Sequence, residues 1–168
     1  MCFLILVRHG TAGRGDGCRD FDRPLTSEGA NEILPIATAL EKHGCSPDLI
    51  IASSALRARQ TADRLAGFTS ATASVFYEDS LYLASAGKIL QRIRNCERAA
   101  GRLMLVGHNP GLAQLVDYLS APDVTADNFP PSACAVFKLK NKLWPRLSPD
   151  TAELDLYLSP MQSDAHLK

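Results

Sequence analysis

The chain has 168 residues, enough for one domain with a sizeable hydrophobic core, and we expect no second domain. Its 18 basic residues balance 18 acidic ones, so the formal net charge is zero, which argues against bulk electrostatic attraction to nucleic acid or to a membrane. Hydrophobic residues make up 46% and charged residues 21%, as in a soluble globular protein.

The cysteines and the first apolar run indicate the cellular compartment in which the protein is expected. The five cysteines are odd in number and no two are spaced as Cys-x-x-Cys, which argues against a disulfide framework and against structural zinc. The first apolar run is too short for a signal peptide or a membrane span. We therefore expect a cytoplasmic protein with reduced thiols, and nothing in the sequence requires more than a monomer.

Three segments share one pattern, in which a short hydrophobic run leads into a polar cluster and then a helix. The runs span residues 4–7, 49–52 and 103–106, and they lead into Arg8-His9, Arg57 and His108. Such runs predict strands buried on both faces. Right-handed crossovers bring the ends of parallel strands to one edge of a sheet, where α/β proteins bind ligands. We therefore expect two arginines and two histidines to converge there.

These residue types suit phosphoryl transfer. Guanidinium groups offer forked donors to phosphoryl oxygens, one imidazole can attack phosphorus, and a second can stabilise the transferring group. The pattern predicts a phosphoryl-transfer site that uses neither a metal ion nor a cofactor.

The motifs that carry this pattern resemble those of a known family. Leu-Val-Arg-His-Gly-Thr at 6–11, Ser-x-x-x-Arg-Ala-x-Gln-Thr at 53–61 and Val-Gly-His-Asn-Pro-Gly at 106–111 are similar to motifs of the histidine phosphatase superfamily, which has the phosphoglycerate-mutase-like fold. The small size and Asp-Arg-Pro-Leu-Thr-x-x-Gly at 22–29 resemble its SixA branch of phosphohistidine phosphatases. The resemblance implies that His9 is the phosphorylated nucleophile, that Arg8 and Arg57 bind phosphate, and that His108 is the second histidine of the phosphate pocket.

Two loops are expected beside the site. Residues 12–25 lack apolar periodicity and follow a catalytic strand, so they are predicted to line the rim of the pocket, with Thr11 and Asp22 as candidate substrate contacts. Residues 120–132 form a second loop that can close over a substrate, and the backbone N–H groups of Ser132 or Ala133 are candidate phosphate donors.

The remaining elements complete a three-layer α/β fold with a mostly parallel central sheet and an antiparallel edge strand. A helix is predicted from the N-cap Thr26 to Gly44, with a kink at Pro35 because proline lacks the N–H donor and clashes with the preceding turn. Further helices are expected at 55–65, at 86–99 and after 110, and further strands at 75–77, 133–139 and 153–158. Residues 1–168 form one domain, with a frayed tail after about residue 160.

The motifs do not identify the residue that would donate a proton to the leaving group. Larger family members protonate the leaving oxygen with a glutamate in a glycine-bearing acidic motif, and residues 75–85 contain no such motif. Glu78 is the first candidate for this acid, and Asp79 and Asp22 are the next candidates. An alkoxide needs a proton to leave, whereas a phosphorylated imidazole can leave as a neutral ring that carries its proton on the other nitrogen. The missing motif therefore favours phosphohistidine as the substrate.

The expected activity is that of a metal-independent phosphatase in which His9 attacks phosphorus and water hydrolyses the intermediate. The SixA resemblance implies a histidine-phosphotransfer protein as the partner. The alternatives are a phosphatase of a small phosphorylated metabolite, a mutase, a phosphoprotein-binding module without turnover, and a two-histidine metalloenzyme. Because the nucleophile must be neutral, activity is expected to fall below the imidazole pKa, roughly 6 to 7 when unperturbed.

Overall fold

The hydrophobic runs form the central strands of one sheet. The structure, a computed structural model, describes residues 2–68, 72–96, 100–120, 129–140 and 143–160. Within these ranges the strands are β1 (Cys2–Arg8), β2 (Leu49–Ser53), β3 (Ser74–Glu78), β4 (Arg102–Gly107), β5 (Cys134–Leu139) and β6 (Ala152–Leu158). The helices are α1 (Ser27–Asn31), α2 (Ile33–Lys42), α3 (Leu56–Phe68), α4 (Ala86–Arg94) and α5 (Gly111–Leu119).

The strands lie in the order β3-β2-β4-β1-β5-β6. β1 to β4 are parallel, whereas β5 pairs antiparallel with β1 and β6 pairs antiparallel with β5. β1, β2 and β4 are buried along nearly their whole length, which is why their sequences do not alternate between apolar and polar residues. The edge strand β6 is only partly buried. The predicted fold class, with its antiparallel edge, is confirmed.

Helices cover both faces of the sheet. On one face, α2 and α3 pack against side chains such as Ile5 and Val106. On the other face, α4 and α5 pack against Leu4 and Leu105. Successive strand residues point to opposite faces, so neighbouring residues of β1 belong to different cores. Because helices pack on both of its faces, the sheet is held in place, and the C-terminal ends of β1, β2 and β4 lie along one edge.

The helix predicted after Thr26 is divided in two. Thr26 caps its beginning, since the hydroxyl accepts a hydrogen bond from the Gly29 N–H at 2.9 Å. The interruption falls at Glu32, between α1 and α2, in the turn that precedes Pro35. Pro35 lacks the N–H that a continuous helix would donate to the Asn31 carbonyl oxygen, and it lies in the first turn of α2.

Some predicted segments lie partly or wholly outside the residue ranges that the structure describes. Helix α4 ends at Arg94, earlier than predicted, and residues 97–99 lie outside those ranges. The tail after 160 and most of the loop at 120–132 lie outside them too. The five cysteines, all in described segments, form no disulfide. In these segments no helix combines the length and apolar character needed to cross a membrane.

Candidate active site

Two strand ends and the first turn of one helix bring the four predicted core residues together. Arg8 ends β1 and is followed by His9, while His108 follows Gly107 at the end of the neighbouring β4. The ring centroids of the two histidines are 5.1 Å apart. Arg57, in the first turn of α3, donates from Nε to His9 Nε2 at 3.1 Å. The two arginines and two histidines thus share one edge of the sheet.

The contacts of His9 assign the tautomer that a nucleophile requires. Its Nδ1 lies 2.8 Å from the Gly10 carbonyl oxygen, and only a protonated Nδ1 can form this hydrogen bond. Nε2 then carries the lone pair. Burial lowers the His9 pKa to about 4, helped by the charges of Arg57 and Arg8, although the bond to Gly10 opposes this shift. His9 is therefore neutral at pH 7, and its pKa lies well below the 6 to 7 of an unperturbed imidazole.

His108 is also neutral, and it is held by a residue that the sequence analysis did not single out. The side chain is only 2% exposed. Its Nε2 lies 2.8 Å from the buried hydroxyl of Ser53, the last residue of β2. Burial, with smaller contributions from His9 and Arg57, lowers the His108 pKa to about 3. Ser53 belongs to the motif at 53–61, but its role depends on the pairing of β2 with β4, which only the structure supplies.

Arg8 adds positive charge that the protein compensates only in part. Its Nη1 donates to the Phe129 carbonyl oxygen at 3.1 Å, and its buried Nε has no hydrogen-bond partner among the described residues. Burial and the nearby Arg57 lower the Arg8 pKa, yet a guanidinium remains charged in proteins. Two adjacent guanidiniums favour a dianionic phosphoryl group.

The loop at 12–25 contributes Asp20 to the site. Arg57 Nη2 donates to the Asp20 carboxylate at 2.9 Å, and Nη1 donates to the Asp20 carbonyl oxygen. Asp22, the predicted substrate contact, instead pairs with the exposed Arg19 at 2.7 Å. The loop does reach the site, but the structure places Asp20 there in place of Asp22.

Two aromatic rings stand beside this carboxylate, and neither was predicted as part of the site. The Tyr82 hydroxyl donates to Asp20 Oδ2 at 2.7 Å. The Tyr82 ring meets His108 edge-on with centroids 5.5 Å apart, and the Phe21 ring meets Tyr82 edge-on at 5.0 Å. The sequence contains no motif that marks either residue, because Tyr82 contacts Asp20 and Phe21 across 62 and 61 positions of the chain.

Glu78, the candidate acid, has another partner. It ends β3, and Arg92 of α4 binds its carboxylate through Nε and Nη2 at 2.7 to 3.0 Å. The pair lines a separate pocket with Leu49, Ile51, Phe76, Asn95 and Cys96. A carboxylate engaged in this way is not placed to protonate a leaving group at His9, so the structure does not support Glu78 as the acid.

Thr11 is tied to the protein through Glu32, the residue at the break between α1 and α2. The Thr11 N–H and hydroxyl donate to the Glu32 carboxylate at 3.1 and 2.9 Å, and the Ser132 hydroxyl donates to it at 2.6 Å. The Ser132 N–H donates to the His9 carbonyl oxygen, and the Ala133 N–H donates to another backbone carbonyl. These two N–H groups are therefore not available as the predicted phosphate donors.

A second set of contacts fixes the backbone at the nucleophile. The Thr61 hydroxyl accepts from the Gly10 N–H at 3.1 Å and donates to the Arg57 carbonyl oxygen at 2.8 Å. A Cβ at Gly10 would lie 2.6 Å from the Gly29 carbonyl oxygen, so this approach requires glycine. The segment after His9 is thus held against both α1 and α3.

Comparisons with known proteins agree with this geometry. The sequence model of the histidine phosphatase superfamily (branch 1) matches residues 4–92. An uncharacterized protein of Mycobacterium tuberculosis is 30% identical over 156 residues, which cover 88% of this chain and 96% of the relative.

Two similar solved structures have been assigned as phosphohistidine phosphatases of the SixA type. The one from Nakamurella multipartitia has a TM-score of 0.80 and 28% identity, covering 96% of this chain and 97% of its own. The one from Agrobacterium tumefaciens has a TM-score of 0.76 and 28% identity, covering 95% and 98%. The chain belongs to the histidine phosphatase superfamily, in its SixA-like branch, and is a phosphatase.

Proposed function

We propose that the protein is a metal-independent phosphohistidine phosphatase that works through a covalent phosphohistidine intermediate on His9. The observation that carries this proposal is a neutral imidazole nucleophile beside two guanidiniums, with no carboxylic acid placed for proton donation among the described residues. Glu78 is bound by Arg92, and Asp20 is bound by Arg57. A phosphate ester would leave as an alkoxide that needs a proton, whereas imidazole can leave as a neutral ring.

In the first step His9 Nε2 attacks phosphorus. Arg57 Nε donates to His9 Nε2 in this structure, so this N–H moves to a phosphoryl oxygen as the N–P bond forms. The hydrogen bond from Nδ1 to the Gly10 carbonyl oxygen persists and stabilises the positive charge that develops on the ring. Arg8 and Arg57 bind the phosphoryl oxygens through charge-assisted hydrogen bonds.

In the second step water attacks phosphorus, and the N–P bond to His9 breaks. The electron pair returns to Nε2, the protons of the attacking water go to the phosphate and to solvent, and phosphate is released. Because the folded-state pKa of His9 is about 4, the nucleophile is restored in its neutral form at pH 7. The described residues include no group of three or more His, Cys, Asp or Glu that could hold a metal ion, and the proposed steps need none.

The partner that we propose is a phosphorylated signalling protein, such as a histidine-phosphotransfer domain. The support is the assignment of the two SixA structures at 28% identity, together with the absence of a placed acid in the described site. We propose the cytoplasm as the compartment, and the five cysteines without disulfides support it.

The test measures phosphate release from a histidine-phosphorylated protein and from phosphoserine, in EDTA. His9→Ala is compared with His43→Ala, which removes an exposed histidine at the end of α2. We expect release from phosphohistidine in EDTA, its loss in His9→Ala, and its retention in His43→Ala. Release mainly from phosphoserine or from small phosphorylated metabolites would contradict the substrate class. Binding without release would favour the phosphoprotein-binding module, and loss of activity in EDTA would favour a metalloenzyme.

A further inference from the structure

Asp20 is a charged side chain at the mouth of the site that the two steps above do not use. One carboxylate oxygen accepts from Arg57 Nη2 at 2.9 Å and from the Tyr82 hydroxyl at 2.7 Å, and the other accepts from Arg23 Nη1 at 2.8 Å. The Asp20 side chain is 45% exposed, whereas that of Arg57 is 5% exposed. Asp20 is therefore both fixed in place and reachable from solvent.

These contacts make Asp20 an acceptor and exclude it as an acid. Hydrogen bonds from Tyr82, Arg23 and Arg57 hold the pKa of its carboxyl well below the usual range. An ionised carboxylate has no proton to give, but its two oxygens offer about four acceptor sites. The three hydrogen bonds from described residues leave room for one more.

Asp20 also lies close to the reaction. The same Arg57 guanidinium contacts His9 Nε2 through Nε and the Asp20 carboxylate through Nη2. The Tyr82 ring contacts both His108 and Phe21, and its hydroxyl donates to Asp20. A planar leaving group would therefore have aromatic surface on one side and a carboxylate within reach.

We propose that Asp20 accepts a hydrogen bond from the N–H of the leaving imidazole ring and thereby sets a preference for phosphohistidine over phosphate esters. This inference rests on the proposed function and assigns a specificity-determining residue to it. Before transfer, the substrate ring carries phosphorus on one nitrogen and a proton on the other. The His9–phosphorus bond forms and the substrate nitrogen–phosphorus bond breaks. The electron pair stays on the substrate nitrogen, and the ring departs neutral with its N–H intact.

The carboxylate favours this route in two ways. It stabilises the protonated ring and so raises the fraction of bound substrate that can leave without a further proton, most strongly above the pKa of the ring. It also repels the negative charge that develops on an alkoxide. Both effects act through charge, so an amide of the same shape would lose them.

The experiment compares Asp20→Asn with the native protein on a histidine-phosphorylated protein and on p-nitrophenyl phosphate, from pH 6 to 9. p-Nitrophenolate leaves as an anion without a proton, so its release reports on folding, phosphate binding and His9, and loss of the Asp20 charge should leave this rate unchanged or raise it. Asp16→Asn, an exposed carboxylate of the same loop, is the matched control. We expect Asp20→Asn to lower the ratio of the phosphohistidine rate to the p-nitrophenyl phosphate rate about tenfold at pH 8, which is typical for one charge-assisted hydrogen bond.

The pH profile distinguishes an effect of the Asp20 charge from a structural effect of the substitution. In Asp20→Asn, the alkaline decline of kcat for phosphohistidine should move about one pH unit lower, because the bound ring loses its anionic neighbour. Equal losses on both substrates would mean that Asp20 only positions Arg57 and would overturn the inference. An unchanged ratio would overturn it as well. Failure of the proposed function would appear separately, as a native protein that does not release phosphate from phosphohistidine.

Discussion

The floor of the active site and its rim are built in different ways. The floor consists of Arg8, His9, Arg57 and His108, which lie at strand ends or in the first turn of a helix. The last three are buried, and Arg8 is partly buried. The rim consists of Asp20, Phe21 and Tyr82, which lie in or next to short 3-10 helices and are more exposed. The sheet register fixes the floor, whereas contacts between loops fix the rim. We infer that phosphoryl transfer belongs to the floor and choice of leaving group to the rim.

The largest effect should come from the floor. Arg57→Gln removes the charge and the forked donors beside His9, and we expect phosphoenzyme formation to slow about 10²- to 10³-fold, as when one preorganised donor is lost. Rapid-quench kinetics measures this rate. Arg59→Gln, which changes an exposed arginine of the same helix, should keep it within about twofold. Equal losses in the two variants would remove the distinction between the floor and the helix surface.

A smaller effect should follow from loss of the Ser53 hydroxyl. Ser53→Ala leaves the buried His108 Nε2 without its partner, so we expect about tenfold slower phosphoenzyme formation and a free energy of unfolding lower by about 1 to 2 kcal/mol. Ser54→Ala, which removes a hydroxyl bonded to Asp79, is the control. Nitrogen-15 spectra of the imidazole rings should show a changed His108 tautomer only in Ser53→Ala. Unchanged spectra and rate in that variant would show that Ser53 does not position His108.

The third prediction concerns the stability of the protein in acid and leaves the rate of phosphoryl transfer at pH 7 unchanged. The folded-state pKa values of His9 and His108 are about 4 and about 3, below the 6.5 of an unfolded histidine. Between pH 6.5 and pH 4 the unfolded chain therefore binds more protons, and the free energy of unfolding falls as the pH is lowered. We expect a slope on the order of 1 kcal/mol per pH unit for each histidine.

Denaturant unfolding between pH 7 and pH 4 measures this slope. The His9→Asn, His108→Asn double variant should lose most of it, whereas His43→Asn should retain it. The lowered pKa of Asp20 also makes stability fall as the pH is lowered, but only below about pH 4, the pKa of an unfolded aspartate. The same acid slope in the double variant would contradict the buried, neutral state of the two histidines.

The same contrast explains what the sequence could predict. The floor was predictable because each residue follows a hydrophobic run whose end must lie at a known edge of a parallel sheet. The fold class followed from the same runs together with the alternating edge strand. No comparable rule places Asp20 ahead of Asp22 two residues later, because the choice depends on how the loop folds over Arg57. Tyr82 follows a short 3-10 helix that no periodicity marks.

Two further differences have local physical reasons. Pro35 lacks the N–H that would continue the helix to the Asn31 carbonyl oxygen, so the predicted single helix is interrupted at Glu32, in the turn before Pro35. Glu78 lies where a candidate acid was expected along the chain, yet its side chain meets Arg92 of α4, a contact that joins residues 14 positions apart. Sequence distance alone cannot reveal such a pairing.

The central claim is that phosphate passes through His9. The most direct measurement mixes the protein with a histidine-phosphorylated protein, quenches within milliseconds under alkaline conditions, and maps phosphate on the separated enzyme. We predict a transient phosphate on the peptide that contains His9, stable in base and labile in acid, and absent from His9→Ala. Phosphate release with no labelled enzyme, or label on His108 in place of His9, would contradict the account.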